Sequence, residues 1–148
     1  MPVQSSYSER ITALVLGQIL DQENKTLISR TVEDAAGIGF GKVVVQGSGD
    51  YGVKVPAGGG EVFRGITVRD QARPAANPDT YAQYEEAALM TKGVVVVTVG
   101  AAVSVGEQVY FVPATGVITN VSTSNTAIVG ARFDADAGNG ALCPVRLG

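Results

Sequence analysis

Histidine and tryptophan are absent from the 148 residues, and cysteine occurs once. Those absences remove whole classes of chemistry. Without histidine there is no imidazole base for a serine or cysteine nucleophile, and no Ser-x-x-Lys pattern offers a lysine instead. A zinc site would have at most one thiolate and no imidazole. Cys143 lies between Leu142 and Pro144 in an apolar run, where it reads as a small core residue, and no disulfide framework exists. Charged residues are scarce at 17%, with 11 Lys and Arg against 14 Asp and Glu, a net charge of −3. The basic residues are scattered, so no positive field is available for phosphate and direct nucleic-acid binding is not expected. Long hydrophobic runs are missing too. Ala13 to Leu20 is too short to cross a bilayer and follows Ser8-Glu9-Arg10 rather than a basic leader, so no membrane role is expected and the chain reads as made soluble in the cytoplasm.

What remains is valine and glycine. Hydrophobic residues reach 45% and glycine 19 positions, a balance that favours short strands joined by tight turns. The length suits one domain. From Lys42 onward the pattern predicts strands over Lys42 to Gln46, Gly52 to Val55, Val62 to Arg69, Gly93 to Val99, Glu107 to Val112, Gly116 to Val121, Ala127 to Phe133 and Ala141 to Leu147. Runs at this spacing predict an all-β fold, a single small barrel or jelly-roll-like sandwich. Residues 1–33 are more polar and read as a partly extended N-terminal arm ahead of a barrel domain at 34–148. In the arm, the spacing of Ile11, Leu14, Val15, Ile19 and Leu20 fits one face of a short helix, yet Gly17 interrupts it and the β-branched positions also suit a strand. The region 71–92, with Pro74 and Pro78, reads as a long crossover: Asp79 could cap a helical turn, or the stretch could be loop throughout.

A repeat constrains the fold further. Gly41 precedes a valine strand and is followed 24 positions later by Gly65 within Phe-Arg-Gly-Ile-Thr-Val; Gly106 and Gly130, within Ile-Val-Gly-Ala-Arg-Phe, repeat that offset. Two like hairpin units predict a pseudo-symmetric barrel, with the inner glycines allowing bulges.

Motifs that could carry chemistry fail on detail. Gly47-Ser48-Gly49-Asp50-Tyr51-Gly52 spells the dinucleotide-binding string, but Val53-Lys54-Val55-Pro56 and three glycines follow it, and no helix N-terminus can form there to face a pyrophosphate. Asp134 and Asp136 open a calcium-like loop, yet its fifth position is Gly138 and its twelfth is Val145 where a bidentate Glu belongs. Glu33-Asp34 and Glu85-Glu86 are sequence neighbours with no pocket implied around them. No catalytic residue, cofactor or metal is therefore expected.

Five strings carry a likeness: Ser29-Arg30-Thr31-Val32-Glu33-Asp34, Gly39 to Gly47, Gly52-Val53-Lys54-Val55-Pro56, Phe63 to Asp70, and Ile128-Val129-Gly130-Ala131-Arg132-Phe133. In order and spacing they resemble the structural cement family of tailed bacteriophages, whose members decorate the outside of icosahedral heads. The resemblance implies a β-barrel or jelly-roll-like body with extended segments, bound where major capsid protein subunits meet and stabilising the expanded shell against the pressure of packaged DNA. The implied partners are the major capsid protein and further copies of the chain itself, as a homodimer or homotrimer, and the implied location is the outer capsid surface of the virion. The candidate contact residues are Leu14, Val15, Ile19 and Leu20 of the arm, which could order on a neighbour, and Tyr81 and Tyr84 of the crossover. A phage tail or baseplate β-module would share the same composition. A carbohydrate-binding sandwich is a weaker third reading, because it calls for aromatic platforms that this chain does not supply.

Overall fold

Val43-Val44-Val45 and Val94-Val95-Val96-Val97 are continuous rather than alternating because both faces of these strands are buried. The computed structural model describes residues 14–20, 23–72, 76 and 78–148, and no helix occurs among them. Eleven strands do: β1 (Thr26–Val32), β2 (Ile38–Gly39), β3 (Val43–Gln46), β4 (Gly52–Lys54), β5 (Phe63–Thr67), β6 (Thr80–Tyr81), β7 (Glu86–Thr98), β8 (Gln108–Phe111), β9 (Ile118–Thr119), β10 (Thr126–Phe133) and β11 (Leu142–Leu147). The fold is all-β. The main sheet runs β1-β4-β3-β5-β7-β11-β10-β8-β9, and a further pairing of β1 with β7 closes its first five strands into a barrel. The closing strand is parallel to β4 and antiparallel to β7.

Strand β7 joins two units. Its residues from Glu86 to Lys92 pair with β1, and those from Gly93 to Thr98 pair with β11. Gly93 sits at the changeover with φ 123°, and a Cβ there would lie 2.9 Å from that of Lys25, so both conformation and space call for glycine.

The two units are copies in topology. Strand β8 begins 65 residues after β3 (108 against 43), and the same offset carries the buried Val32, Val44 and Val53 onto the buried Val97, Val109 and Ile118. It also carries Gly41 and Gly65 onto Gly106 and Gly130, all four at positive φ. The ladders between β3 and β5 and between β8 and β10 each break register near the inner glycine, as the repeat predicted. In the second unit the latter part of β7 with Val99, Gly93 to Val99, plays the part of β1: it is antiparallel to β11 and meets β9 through a parallel bridge, Val99 to Ile118. Even the small β2–β6 pair, Ile38 opposite Tyr81, has an echo in the bridge Val103 to Ala137.

Two clusters form the core. Val32, Val44, Val53, Ala87 and Leu89 fill the first barrel together with Ile38, Phe40 and Tyr81 of the β2–β6 region. The larger cluster joins the inner face of the second unit, including Val97, Val109, Phe111, Phe133 and Val145, to Val43, Val45, Ile66 and Met90 on the outer face of the first. Phe63 and Phe111 meet across that seam with ring centroids 6.1 Å apart.

Two sequence expectations land differently, and one choice left open between two readings is decided. The stretch expected as an arm, 1–33, contains β1, an integral barrel strand. The crossover expected over 71–92 gives way at Glu86 to β7, because Glu86-Ala-Ala-Leu-Met-Thr-Lys is rich in helix formers that pairing with β1 and β5 overrides. Asp79 caps no helical turn, since Thr80 and Tyr81 are extended against β2.

Candidate functional site

The acidic groups that suggested chemistry serve the turns of the chain itself. Glu33 accepts hydrogen bonds from the backbone N–H groups of Ser48 (2.6 Å) and Gly49 (3.0 Å). The glycine-rich turn thus does surround an anion, and the anion is the chain's own carboxylate. A Cβ at Gly47 or Gly52 would run into that carboxylate, which accounts for two of the three glycines in the dinucleotide-like string. Asp34 takes the Val55 N–H at 2.7 Å, Glu85 that of Ala82 at 2.8 Å, and Asp136 that of Val105 at 2.8 Å. Glu86 accepts from the Thr31 hydroxyl. Asp134 pairs with Arg146 at 3.1 Å, and Glu23 pairs with the same guanidinium. Among the described residues no three His, Cys, Asp or Glu side chains are grouped to hold a metal. Cys143 is fully buried, and that burial pushes its thiol pKa up, away from the reactive thiolate.

The candidate contact residues separate into three kinds. Ile19 packs against the larger core cluster and bridges Val95, while Gly17 and Leu20 donate N–H groups to Val96 and Val94 at 2.8 and 3.2 Å. Leu14 and Leu20 are half-buried and Val15 is exposed. The segment 17–20 is thus paired within its own chain, leaving a turn at Gly17 and forming no helix, and Ile11 lies outside the described residues. Tyr81 is an interior residue rather than a surface one. Its ring stands edge-on to Phe40 at 5.3 Å and its hydroxyl donates to the Val68 carbonyl at 2.7 Å, because β6 turns that side chain into the barrel.

Tyr84 is the opposite case. It is 76% exposed and held at φ 68°, a left-handed conformation uncommon for a bulky residue. The turn around it is clamped: the Tyr84 N–H donates to Val32 O at 2.7 Å, and the Gln83 amide donates to Glu33 O at 3.0 Å. A strained aromatic presented on a fixed turn is a feature of binding surfaces.

Sequence reasoning missed a second apolar feature. Val62 (62% exposed) and Val129 (91% exposed) stand on either side of a groove of about 490 Å³ at the seam between the units. Arg64 and Val129 are equivalent positions 65 apart in the repeat, but their side chains differ, so the repeat does not signal a shared surface.

Comparison with known proteins agrees with this geometry. The model of the structural cement protein family (E217 gp24/Pam3 gp6) matches residues 3–148. No curated protein matches the sequence. A chain of the capsid of Myoviridae phage XM1 is similar in fold, with a TM-score of 0.77 and 18% identity over 100% of this chain and 98% of that one. The N base of the head fibre gp8.5 of bacteriophage phi29 is similar more distantly, with a TM-score of 0.51 and 11% identity over 83% of this chain and 95% of that one.

Proposed function

The chain belongs to the phage structural cement protein family, a capsid component, and from that premise we propose that it binds the outer surface of the head where neighbouring major capsid subunits meet. There it holds the expanded shell closed against the outward pressure of packaged DNA. The observation that carries the reading is the family match along nearly the whole chain, on a body in which Glu33, Asp34, Glu85 and Asp136 are engaged in their own turns.

The mechanism needs only contact. A clip that touches two subunits adds binding free energy that must be lost before they part, and the shell repeats the contact at every equivalent junction. Modest affinity per copy therefore suffices. A body of two units sharing β7 and one large core cluster suits the task, since a load applied to one unit is carried to the other through continuous backbone and packed side chains. On this reading the chain also associates with copies of itself, as a dimer or trimer, and light scattering of the purified protein checks that.

Tyr84 is the residue that best fits a capsid contact, with Leu14, Val15 and Leu20 as further candidates. Tyr84→Gly relieves the left-handed strain and leaves the fold at least as stable, while shell binding weakens about tenfold or more. Co-sedimentation with cognate shells lacking this protein tests the function as a whole. Saturable, stoichiometric binding that favours expanded over unexpanded shells is expected; binding to neither, with the protein recovered on tails, would assign it to a tail module.

A further inference from the structure

We propose that the groove at the seam of the two units takes an extended segment of a neighbouring shell subunit, added as a strand and carrying a carboxylate to Arg64. This rests on the capsid reading and names the surface and chemistry of one contact.

The groove is where equivalent parts of the two units face each other. Val62, Phe63 and Arg64 line one bank, and their counterparts 65 residues on, Ala127, Ile128 and Val129, line the other. Each bank is the site of a register break, and each leaves backbone without a ladder partner. Phe63 and Arg64 lie in the part of β5 that pairs with β3 alone, since pairing with β7 begins at Ile66. In β10, Ile128 to Ala131 appear in neither the β8 nor the β11 ladder; the Ile128 carbonyl instead accepts from the Gln108 side chain at 2.7 Å. Strand backbone outside a regular ladder, the engaged Ile128 carbonyl aside, is a template for an added strand.

The side chains select what is added. Val62 and Val129, both strongly exposed, offer apolar contact to alternate residues of an extended peptide. Among the described residues, Arg64 is the one charged side chain lining the groove. It is half-buried, and its Nε is buried with no hydrogen-bond partner among the described residues. A buried guanidinium nitrogen without an acceptor is costly, and a carboxylate supplies the planar, two-oxygen acceptor that fits a guanidinium edge. One positively charged side chain between apolar ones calls for a peptide with one acidic residue between apolar ones. A polyanion would need more basic groups than this groove has.

The test uses the full chain and the same shells. Amide hydrogen exchange of free and shell-bound protein is expected to slow at residues 62–65 and 128–131. Arg64→Glu and Val129→Asp should each weaken shell binding about tenfold or more, with Arg64→Lys intermediate, while thermal melts confirm that each variant folds. Wild-type binding with unchanged exchange at both segments, or with both substitutions neutral, would overturn the groove contact and leave the capsid reading standing. If the wild type itself does not bind shells, the groove proposal falls together with that reading.

Discussion

The first unit of this protein closes on itself and the second closes on the first. In the first, β1 completes the ring through two paired positions with β4 and a long ladder with β7, and Phe40 and Tyr81 fill its end. In the second, the equivalent stretch keeps its ladder with β11 but meets β9 through one bridge, Val99 to Ile118, and the positions matching Phe40 and Tyr81 are the smaller Val105 and Ala137. Its inner face is covered instead by Val43, Val45, Ile66 and Met90 of the first unit. The outer-face positions corresponding to Val43 and Val45 are Gln108 and Tyr110, half-buried and polar at their ends. One topology repeated in tandem has thus become a support and a dependent. The lesson is that like strands can be stabilised in unlike ways once one copy uses the other as a wall.

The strongest way to break that arrangement is at the shared cluster. Phe111→Ala should cost about 3–5 kcal/mol, and unfolding followed by calorimetry should remain a single transition because the cluster belongs to both units. Two separated transitions would mean that the units stand independently. Next comes the joint: Gly93→Ala should cost about 1–3 kcal/mol, since alanine must take a disfavoured φ and crowd Lys25, and denaturant titration measures it. Tyr81→Phe probes the first unit alone. It removes the hydroxyl from the Val68 carbonyl and should cost about 1 kcal/mol, with faster amide exchange confined to the first barrel.

The smallest effect is on pH. Glu61, held by Lys54 and the Ala57 N–H, and Glu107, held by the Ser104 N–H and Asn120, have pKa values below the ordinary carboxylate range. A lowered folded-state pKa contributes stability that is complete above the unfolded value and is lost as pH falls through the folded one. Acid should therefore loosen one turn in each unit, and amide exchange at Ala57 and Ser104 should quicken as pH drops through that window. Lys54, raised by the same Glu61 pair, gives the reverse limit in base, where its contribution is lost as pH rises through its folded value. Exposure screens both, so the change in melting temperature is expected to be slight.

The second unit was nearly legible from the sequence. Its valine runs and turns announced β8, β10 and β11 to within a residue or so, because strands with apolar faces and glycine turns carry their own signal. The first unit was half hidden. Strand β1 lies among Thr, Ser and Arg residues whose β character emerges only on pairing with β7, and Glu86 to Lys92 has helix-forming residues that tertiary pairing overrules. Within the candidate surface, Tyr84 was legible as an aromatic in a loop, but Tyr81, two strand positions from a turn, gave no sign that it faces inward. The groove at the seam was out of reach for a simpler reason: it is made by segments 65 residues apart.

The most direct test of the capsid assignment is imaging intact virions beside virions lacking this protein and locating the difference density. The account predicts density of this fold on the outside of the head at junctions between capsid subunits, in many copies. Difference density confined to the tail or baseplate, with the head unchanged, would contradict it.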